Sequence, residues 1–434
     1  MPQRYWVETL GCPKNQVDSD KLVGTLVADG YAPADSPEDA DLVVVNTCAF
    51  IDAARQESID TVLSLSDARR DGARLVVTGC LAERYGDELA ESLPEADLVA
   101  GFGVPVTLGK KPVPSFDLLN LARPPATAPW AYVKVAEGCD RVCGFCAIPS
   151  FRGKQRSRPL DVILEEVDAL GAQEIVLVAQ DLASYGSDLA DRGAIIPLVE
   201  AVSARVPRTR LLYLYPSSLT DGLIDVIGAT GVPYFDLSLQ HVSRPLVQRM
   251  RRWGDGARFL ERIETIRSRC PDAAFRSSFI VGYPGETEDD HDQLLSFIEE
   301  AQLDWAGFFA FSPEDGTYAV DLDGQVDPSL VAERLKELGE LQDAITASRR
   351  DALVGSQYDV LVDAPGVGRG HREAPEIDGI VTVPASLAVG TVATVTITGA
   401  AGPDLEAAVL PLSPGAPTRL LAETGAPSPS GAVS

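Results

Sequence analysis

The chain has 434 residues, 45% of them hydrophobic, and a formal charge of −27, with seven cysteines and three histidines. That length is too great for one ordinary core, so two to four domains are expected; no apolar run approaches the span of a bilayer, so no membrane segment is expected. A charge this negative repels nucleic-acid phosphates at long range and attracts basic proteins.

Residues 1–7 run straight into a strand-like segment, without the charged and then apolar order of a secretory signal. Cysteines in a chain without export point to a reducing compartment, the cytoplasm, and to metal or redox use in place of disulfides. Residues 5–10, 41–46 and 74–78 are short apolar runs separated by helical stretches such as 21–29 and 53–65. This pattern predicts a parallel α/β layer over residues 1–110. Each strand is followed by a cysteine, in Gly11-Cys12-Pro13-Lys14-Asn15, Thr47-Cys48 and Gly79-Cys80. Right-handed crossovers bring the carboxyl ends of parallel strands to one edge. Cys12, Cys48 and Cys80 are therefore expected to converge as a three-thiolate site, although each alone reads equally well as a buried structural cysteine.

Six prolines between Val104 and Pro129 break regular structure and mark a linker over residues 111–129. Six strand-like runs follow, at residues 130–136, 174–179, 211–215, 234–239, 274–281 and 305–311, with helical stretches between them and a closing helix over 328–352. Six βα units are too few to close an eight-unit barrel. An open partial barrel over residues 130–352, with its site at the carboxyl ends of the strands, is expected.

The loop after the first of these strands carries Cys139-Asp-Arg-Val-Cys143-Gly-Phe-Cys146. Three thiolates are one short of a closed tetrahedral set, so a four-iron cluster held there keeps one iron free for a substrate such as S-adenosylmethionine (SAM). A structural zinc site needs a fourth ligand, and no histidine lies near this loop. Phe145 reads as an apolar cover for the cluster or as an ordinary core aromatic. Gln180 and Asp181, just past the second strand, and His241, past the fourth, are weaker site candidates whose alternatives are a loop cap and a hydrogen-bonded structural histidine. Arg249, Arg251 and Arg252 read as a carboxylate-recognition group or as a solvated helix face. The run Gly282-Tyr-Pro-Gly-Glu-Thr287 reads as a turn with Thr287 capping the next helix, and Cys270 stands outside both trios.

From residue 355 the pattern turns to period two, with strands expected at 358–362, 379–383, 391–398 and 404–412. They predict a small antiparallel β-barrel over residues 353–412. Arg369 and Arg372 face Asp359, Asp363, Glu373, Glu376, Asp378, Asp404 and Glu406, a net charge of −5. An RNA-binding barrel carries a basic stripe, so this one is expected to meet a basic protein, with Glu373, Glu376 and Asp378 as contacts. Residues 413–434, rich in Pro, Gly, Ala and Ser, are expected to be disordered.

Residues 138–153, Gly-Cys-Asp-Arg-Val-Cys-Gly-Phe-Cys-Ala-Ile-Pro-Ser-Phe-Arg-Gly, resemble the radical SAM signature of the methylthiotransferases, and the first trio and a TRAM-like barrel complete that family's three-domain order. Gly11-Cys-Pro-Lys-Asn15, Pro149-Ser-Phe-Arg-Gly153, Val178-Ala-Gln-Asp181 and Leu239-Gln-His241 are similar to the branch that modifies an aspartate of a decoding-centre protein of the small ribosomal subunit. The tRNA-modifying branch differs in the first two of these motifs. The resemblance implies two 4Fe-4S clusters and SAM as cofactors. It assigns Cys139, Cys143 and Cys146 to the cluster that binds and cleaves SAM, and Cys12, Cys48 and Cys80 to an auxiliary cluster that presents the sulfur. A second SAM gives the methyl group. It further implies a basic ribosomal protein as substrate, an electron donor such as flavodoxin or ferredoxin, and a sulfur donor. A tRNA methylthiotransferase and a non-enzymatic Fe-S carrier are the competing functions.

Overall fold

The computed structural model describes residues 2–107, 117–191 and 193–409. The first layer is a five-stranded parallel sheet with spatial order β2-β1-β3-β4-β5, built from β1 (Arg4–Thr9), β2 (Ala32–Pro33), β3 (Leu42–Thr47), β4 (Arg74–Gly79) and β5 (Leu98–Ala100). Its helices are α1 (Pro13–Ala28), α2 (Asp52–Ala68) and α3 (Cys80–Ser92). The central β3, Leu42 to Thr47, is buried along its whole length, which suits a strand covered on both faces. The edge strands β2 and β5 are two and three residues long, too short to carry a periodic signal, and were not expected. Helix α1 begins eight residues earlier than the apolar pattern suggested, because Pro13 stands at its first turn after an extended Cys12 and its early face is polar.

The middle domain holds β6 (Trp130–Lys134), β7 (Ala136–Glu137), α4 (Ile148–Arg152), β8 (Arg156–Ser157), α5 (Leu160–Leu170), β9 (Glu174–Val178), α6 (Ile195–Ser203), β10 (Arg208–Leu211) and α7 (Asp221–Gly228). It continues through β11 (Tyr234–Gln240), α8 (Arg244–Arg249), α9 (Gly256–Arg269), β12 (Ala274–Val281), α10 (Glu288–Ala301), β13 (Trp305–Ala310) and α11 (Pro328–Asp351). Two three-stranded parallel sheets, β10-β9-β6 and β11-β12-β13, join through a single bridge from Leu214 to Leu237. The result is the expected open, six-stranded partial barrel. The third strand lies at 208–211, earlier than the expected 211–215, because Tyr213 takes a left-handed backbone (φ 67°) that ends the ladder. Thr287 caps α10 as expected, in a reciprocal capping box with Asp290.

The described part of the proline-rich segment is docked and not free: Leu118 packs in the first layer's core, and the Leu119 carbonyl accepts from the buried Lys21 ammonium at 2.5 Å. No helix of the described residues is long and apolar enough to cross a membrane.

The last domain is a closed barrel, β14-β15-β16-β18-β17, of β14 (Gln357–Ala364), β15 (Val367–Arg369), β16 (Val381–Thr382), β17 (Val392–Ala401) and β18 (Asp404–Ala408). It is not wholly antiparallel: β16 and β18 pair in parallel, which closes the cylinder. Residues 413–434, expected to be disordered, lie outside the described residues.

The segment between β15 and β16 plugs the amino end of the partial barrel, where Ala374 joins Tyr132, Val176, Tyr234 and Trp305 in one apolar cluster. Trp305 donates to the Arg372 carbonyl at 2.6 Å, and Tyr234 donates to Asp378 at 2.6 Å. This overturns the expectation of an outward acidic contact for Glu373 and Asp378, whose carboxylates turn into the seam, while Glu376 stays exposed. Glu373 is fully buried against Arg350 and accepts from the Gly370 amide at 2.7 Å. Asp378 faces Arg276 at 3.5 Å, and Glu376 accepts from the Tyr132 hydroxyl at 3.2 Å. Arg369 and Arg372 are buried in the same seam, on Glu174 and Asp304. Burying the carboxylates of Glu373 and Asp378 needs paired cations, and the neighbouring domain supplies Arg350 and Arg276. With its amino end closed, the partial barrel keeps its carboxyl end for chemistry.

Candidate active site at the seam of two domains

Cys12 precedes α1, Cys48 follows β3, and Cys80 is the first residue of α3, not a loop residue. All three come to the carboxyl edge of the first sheet, as the topology required. Gly11 takes φ 92°, and a Cβ there would lie 2.8 Å from Cys48 Cβ and 2.9 Å from its Sγ. Only glycine lets the first cysteine loop approach the second so closely. The Cys80 Sγ accepts from Arg152 at 3.0 Å, and Asn15 Nδ2 donates to the Thr47 carbonyl at 3.0 Å, locking the α1 turn onto the β3 end.

The second trio lies in the loop after β7. Gly138 (φ 76°) allows the turn before it: a Cβ would strike the Lys154 carbonyl, while the Cys139 amide donates to the Gly153 carbonyl at 3.1 Å. The Arg141 amide points at Cys139 Sγ (3.4 Å), and Arg252 Nη1 donates to Cys143 Sγ at 3.2 Å. Phe145 packs with Leu246, Met250, Tyr283 and Ala319, an apolar floor beneath the loop.

One chain of polar contacts joins the trios. Arg152, on α4, donates to Cys80, to Asn15 at 2.7 Å, to Asp18 at 2.9 Å and to Glu137 at 2.9 Å. Glu137, directly before Gly138, also accepts from Lys134 at 2.6 Å and from Gln180 at 2.7 Å. Lys134 reaches Asp18 as well. Two cations beside it hold the Glu137 carboxyl well below the usual carboxylate range despite its partial burial. The first and middle domains are clamped again where Glu314 receives Arg84 at 2.7 Å and also Arg55.

Of the weaker candidates, Gln180 and Asp181 do face the cysteine loop. Asp181 accepts from Arg141 at 2.6 Å, and Gln180 Oε1 and Asp181 Oδ1 are buried with no partner, acceptors left for a bound group. Arg252 touches the trio, and Arg251 stacks over Tyr318 at 3.7 Å. Arg249 instead pairs with exposed Asp323 at 2.6 Å. His241 touches neither trio: it is fully buried, its Nδ1 accepts from the Ser243 amide at 3.1 Å, and burial lowers its pKa to about 4. Cys270 sits after α9 against the outer helical core. Arg141, Arg152, Glu137, Lys134 and Asp18 had not been singled out. A signal existed for Asp18: Asn15, Asp18, Ser19 and Leu22 follow helical spacing, a polar face that is nonetheless buried.

The donor set fits iron-sulfur clusters. All six thiols are free. Burial pushes Cys48 and Cys146 up to about 12 and Cys139 to about 11, whereas at Cys12 burial is outweighed by the cations Lys14 and Arg152, which lower the pKa; a bound metal would favour the thiolate at each. Arginine and amide N–H groups aimed at Cys80, Cys143 and Cys139 are donors suited to thiolate sulfur. Among the described residues no three ligating side chains close on one ion position; a cluster places each thiolate on its own iron.

Residues 4–101 match the uncharacterized protein family UPF0004, residues 133–298 the radical SAM superfamily and residues 354–410 the TRAM domain. The chain is 40% identical to the ribosomal protein uS12 methylthiotransferase RimO of Cutibacterium acnes, over 92% of this chain and 96% of that protein. It is 42% identical to RimO of Moorella thermoacetica, over 88% and 93%. The chain belongs to the RimO family. The family's cofactors are SAM and 4Fe-4S clusters. Among solved structures, the radical SAM methyltransferase TsrM of Kitasatospora setae, with tryptophan and a SAM analogue bound, aligns with a TM-score of 0.50 at 14% identity, over 80% of this chain and 89% of that one. That likeness supports the fold of this RimO-family chain.

Proposed function

We propose that this chain is a radical SAM methylthiotransferase that places a methylthio group on the β-carbon of an aspartate in small-subunit ribosomal protein uS12. The observation that carries the reading is that two three-cysteine loops from two domains face one seam, with Arg152 running from Cys80 to Glu137, two residues before Cys139. Cys139, Cys143 and Cys146 hold the cluster that binds SAM, and Cys12, Cys48 and Cys80 hold the cluster that presents sulfur. When bound, the first cluster and SAM supply a radical able to take hydrogen from an unactivated C–H bond, which no side-chain base can do. The protein's part is placement: Gly138 sets the loop, Arg141 and Asp181 tie it to β9, and Phe145 and its neighbours keep water from beneath it.

The partner is a basic ribosomal protein and not tRNA. Within residues 353–409 the two arginines are buried and there is no lysine, so the barrel presents no cation to phosphate. Electrons come from a flavodoxin- or ferredoxin-type carrier and sulfur from a separate donor, because the two trios account for six of the seven cysteines and Cys270 stands apart. A cytoplasmic address suits an enzyme with six ligand thiols and a ribosomal substrate.

Anaerobic reconstitution should load about eight irons, two four-iron clusters. Replacing Cys139, Cys143 and Cys146 by Ala should remove half the iron and abolish SAM cleavage. The Cys12/Cys48/Cys80 triple variant should keep cleavage and lose methylthio transfer, read by mass spectrometry of uS12 peptides. Wild-type product formation by that second variant would sink the two-site reading, and a methylthiolated nucleoside as sole product would replace uS12 by tRNA.

A further inference from the structure

Eleven lysines and arginines are buried among the described residues, and ten of them have a carboxylate partner. Lys14 is the exception. It is only 8% exposed, and its ammonium makes no ion pair or hydrogen bond with any described residue. Its Nζ lies over the face of the Tyr213 ring, 3.4 Å from the centroid, and the Cys12 thiol feels its charge. In a chain of net charge −27 a lysine without an acid is conspicuous, and a buried charge without a counter-ion is costly. Cation–π attraction offsets part of that cost and leaves the ammonium's donors uncommitted.

The place is as informative as the missing partner. Lys14 is two residues past Cys12 on the first turn of α1. Tyr213 belongs to the other domain, in the short segment after β10. Two residues on, the Tyr215 ring carries Arg141 at 3.9 Å and Arg252 at 4.3 Å, and Arg252 donates to Cys143. The ammonium therefore sits at the seam, close in the chain to Cys12 and on a ring two residues from the tyrosine that carries Arg141 and Arg252. A residue that receives sulfur from the first site while losing hydrogen at the second has to lie in this gap.

We propose that Lys14 is the specificity residue that takes the carboxylate of the target aspartate. The carboxylate carbon is bonded to the reacting β-carbon, so gripping it fixes that carbon in the seam, and the substrate itself completes the ion pair that the folded chain leaves open. The competing role, a cation that only balances the charge of the auxiliary cluster, is separable by experiment. This inference rests on the uS12 methylthiotransferase reading.

The test is a double-mutant cycle on the reconstituted holoenzyme, measuring equilibrium binding of purified uS12 with its target aspartate intact or changed to asparagine. With wild-type enzyme the asparagine form should bind at least about tenfold more weakly. Lys14→Met should weaken binding of the aspartate form by roughly thirtyfold, as expected for truncating one partner of a buried charged pair, and should bind the two forms within about twofold of each other. Lys14→Arg should keep the preference. Where Lys14→Met fails to assemble its clusters, Lys14→Gln carries the same comparison. An aspartate-over-asparagine preference that survives loss of the charge, or no preference in the wild type, overturns the assignment. A shift in auxiliary-cluster potential with an unchanged preference assigns Lys14 to the cluster instead. If wild-type enzyme does not methylthiolate uS12 at all, it is the proposed function that fails.

Discussion

Arg152→Met should loosen the seam that joins the two cysteine sites. The guanidinium is 3% exposed and makes four bonds, to Asp18 and Glu137 at 2.9 Å, Asn15 at 2.7 Å and Cys80 at 3.0 Å. Methionine fills much of the same volume and replaces none of them. Removing one member of a buried ion pair costs about 3–5 kcal/mol, and because Lys134 still serves both carboxylates, the lower end applies. About 3 kcal/mol is roughly a hundredfold in the ratio of docked to undocked seam. Native-state hydrogen exchange reads this directly: amides of α1 and α4 should exchange about a hundredfold faster, while β12 and β13, in the other half of the partial barrel, keep their protection. Methylthio transfer should fall steeply, and SAM cleavage far less, since Arg152 touches Cys80 and none of Cys139, Cys143 and Cys146. Unchanged exchange in α1 together with unchanged transfer would refute the claim that Arg152 holds the sites in register.

Two further outcomes concern the plug at the amino end of the barrel. Burial raises the Asp378 carboxyl from its ordinary value of 3.8 to about 6, against the opposing pull of Arg276, the Tyr234 hydroxyl and the Ala374 amide. Between about pH 4 and 6 the folded chain holds a proton that the unfolded chain has released, so this group's contribution is full below pH 4 and lost as pH rises through 6. Asp378→Asn should flatten the fall in stability over that window, read as denaturant midpoints at pH 4.5 and 6.5; identical slopes in both proteins would count against it. Glu373→Gln should destabilise by about 3–5 kcal/mol, because it leaves Arg350 buried without its acid, while Glu406→Lys on the exposed barrel wall should stay within about 0.5 kcal/mol. Equal thermal shifts for the two would contradict the burial of Glu373.

The strands, the partial barrel and both cysteine trios were legible in the sequence because each rests on a local signal. Apolar runs of strand length, glycines before cysteines and the three-residue and two-residue gaps of Cys139, Cys143 and Cys146 are written in consecutive residues, and parallel topology then sends every strand's carboxyl end to one edge. Elements with few residues to state a period escaped: β2, β5, α4, β8 and β15. The third strand was misplaced because Tyr213 ends it in a left-handed turn that its residue type does not announce.

What only the tertiary structure decided is the meaning of the charges. By sequence, Glu373 and Asp378 are two more acids on an acidic chain, and Lys14 is one more helix-start lysine. Docking of the domains buries all three, and burial changes what a charge does: the acids acquire arginines from another domain and become interdomain contacts, while Lys14 acquires a ring and no acid. A net charge is a sum over composition, but whether a given group meets solvent, a counter-ion or a substrate depends on neighbours that only the docking of the domains brings together, and the low dielectric of the seam makes those neighbours decisive.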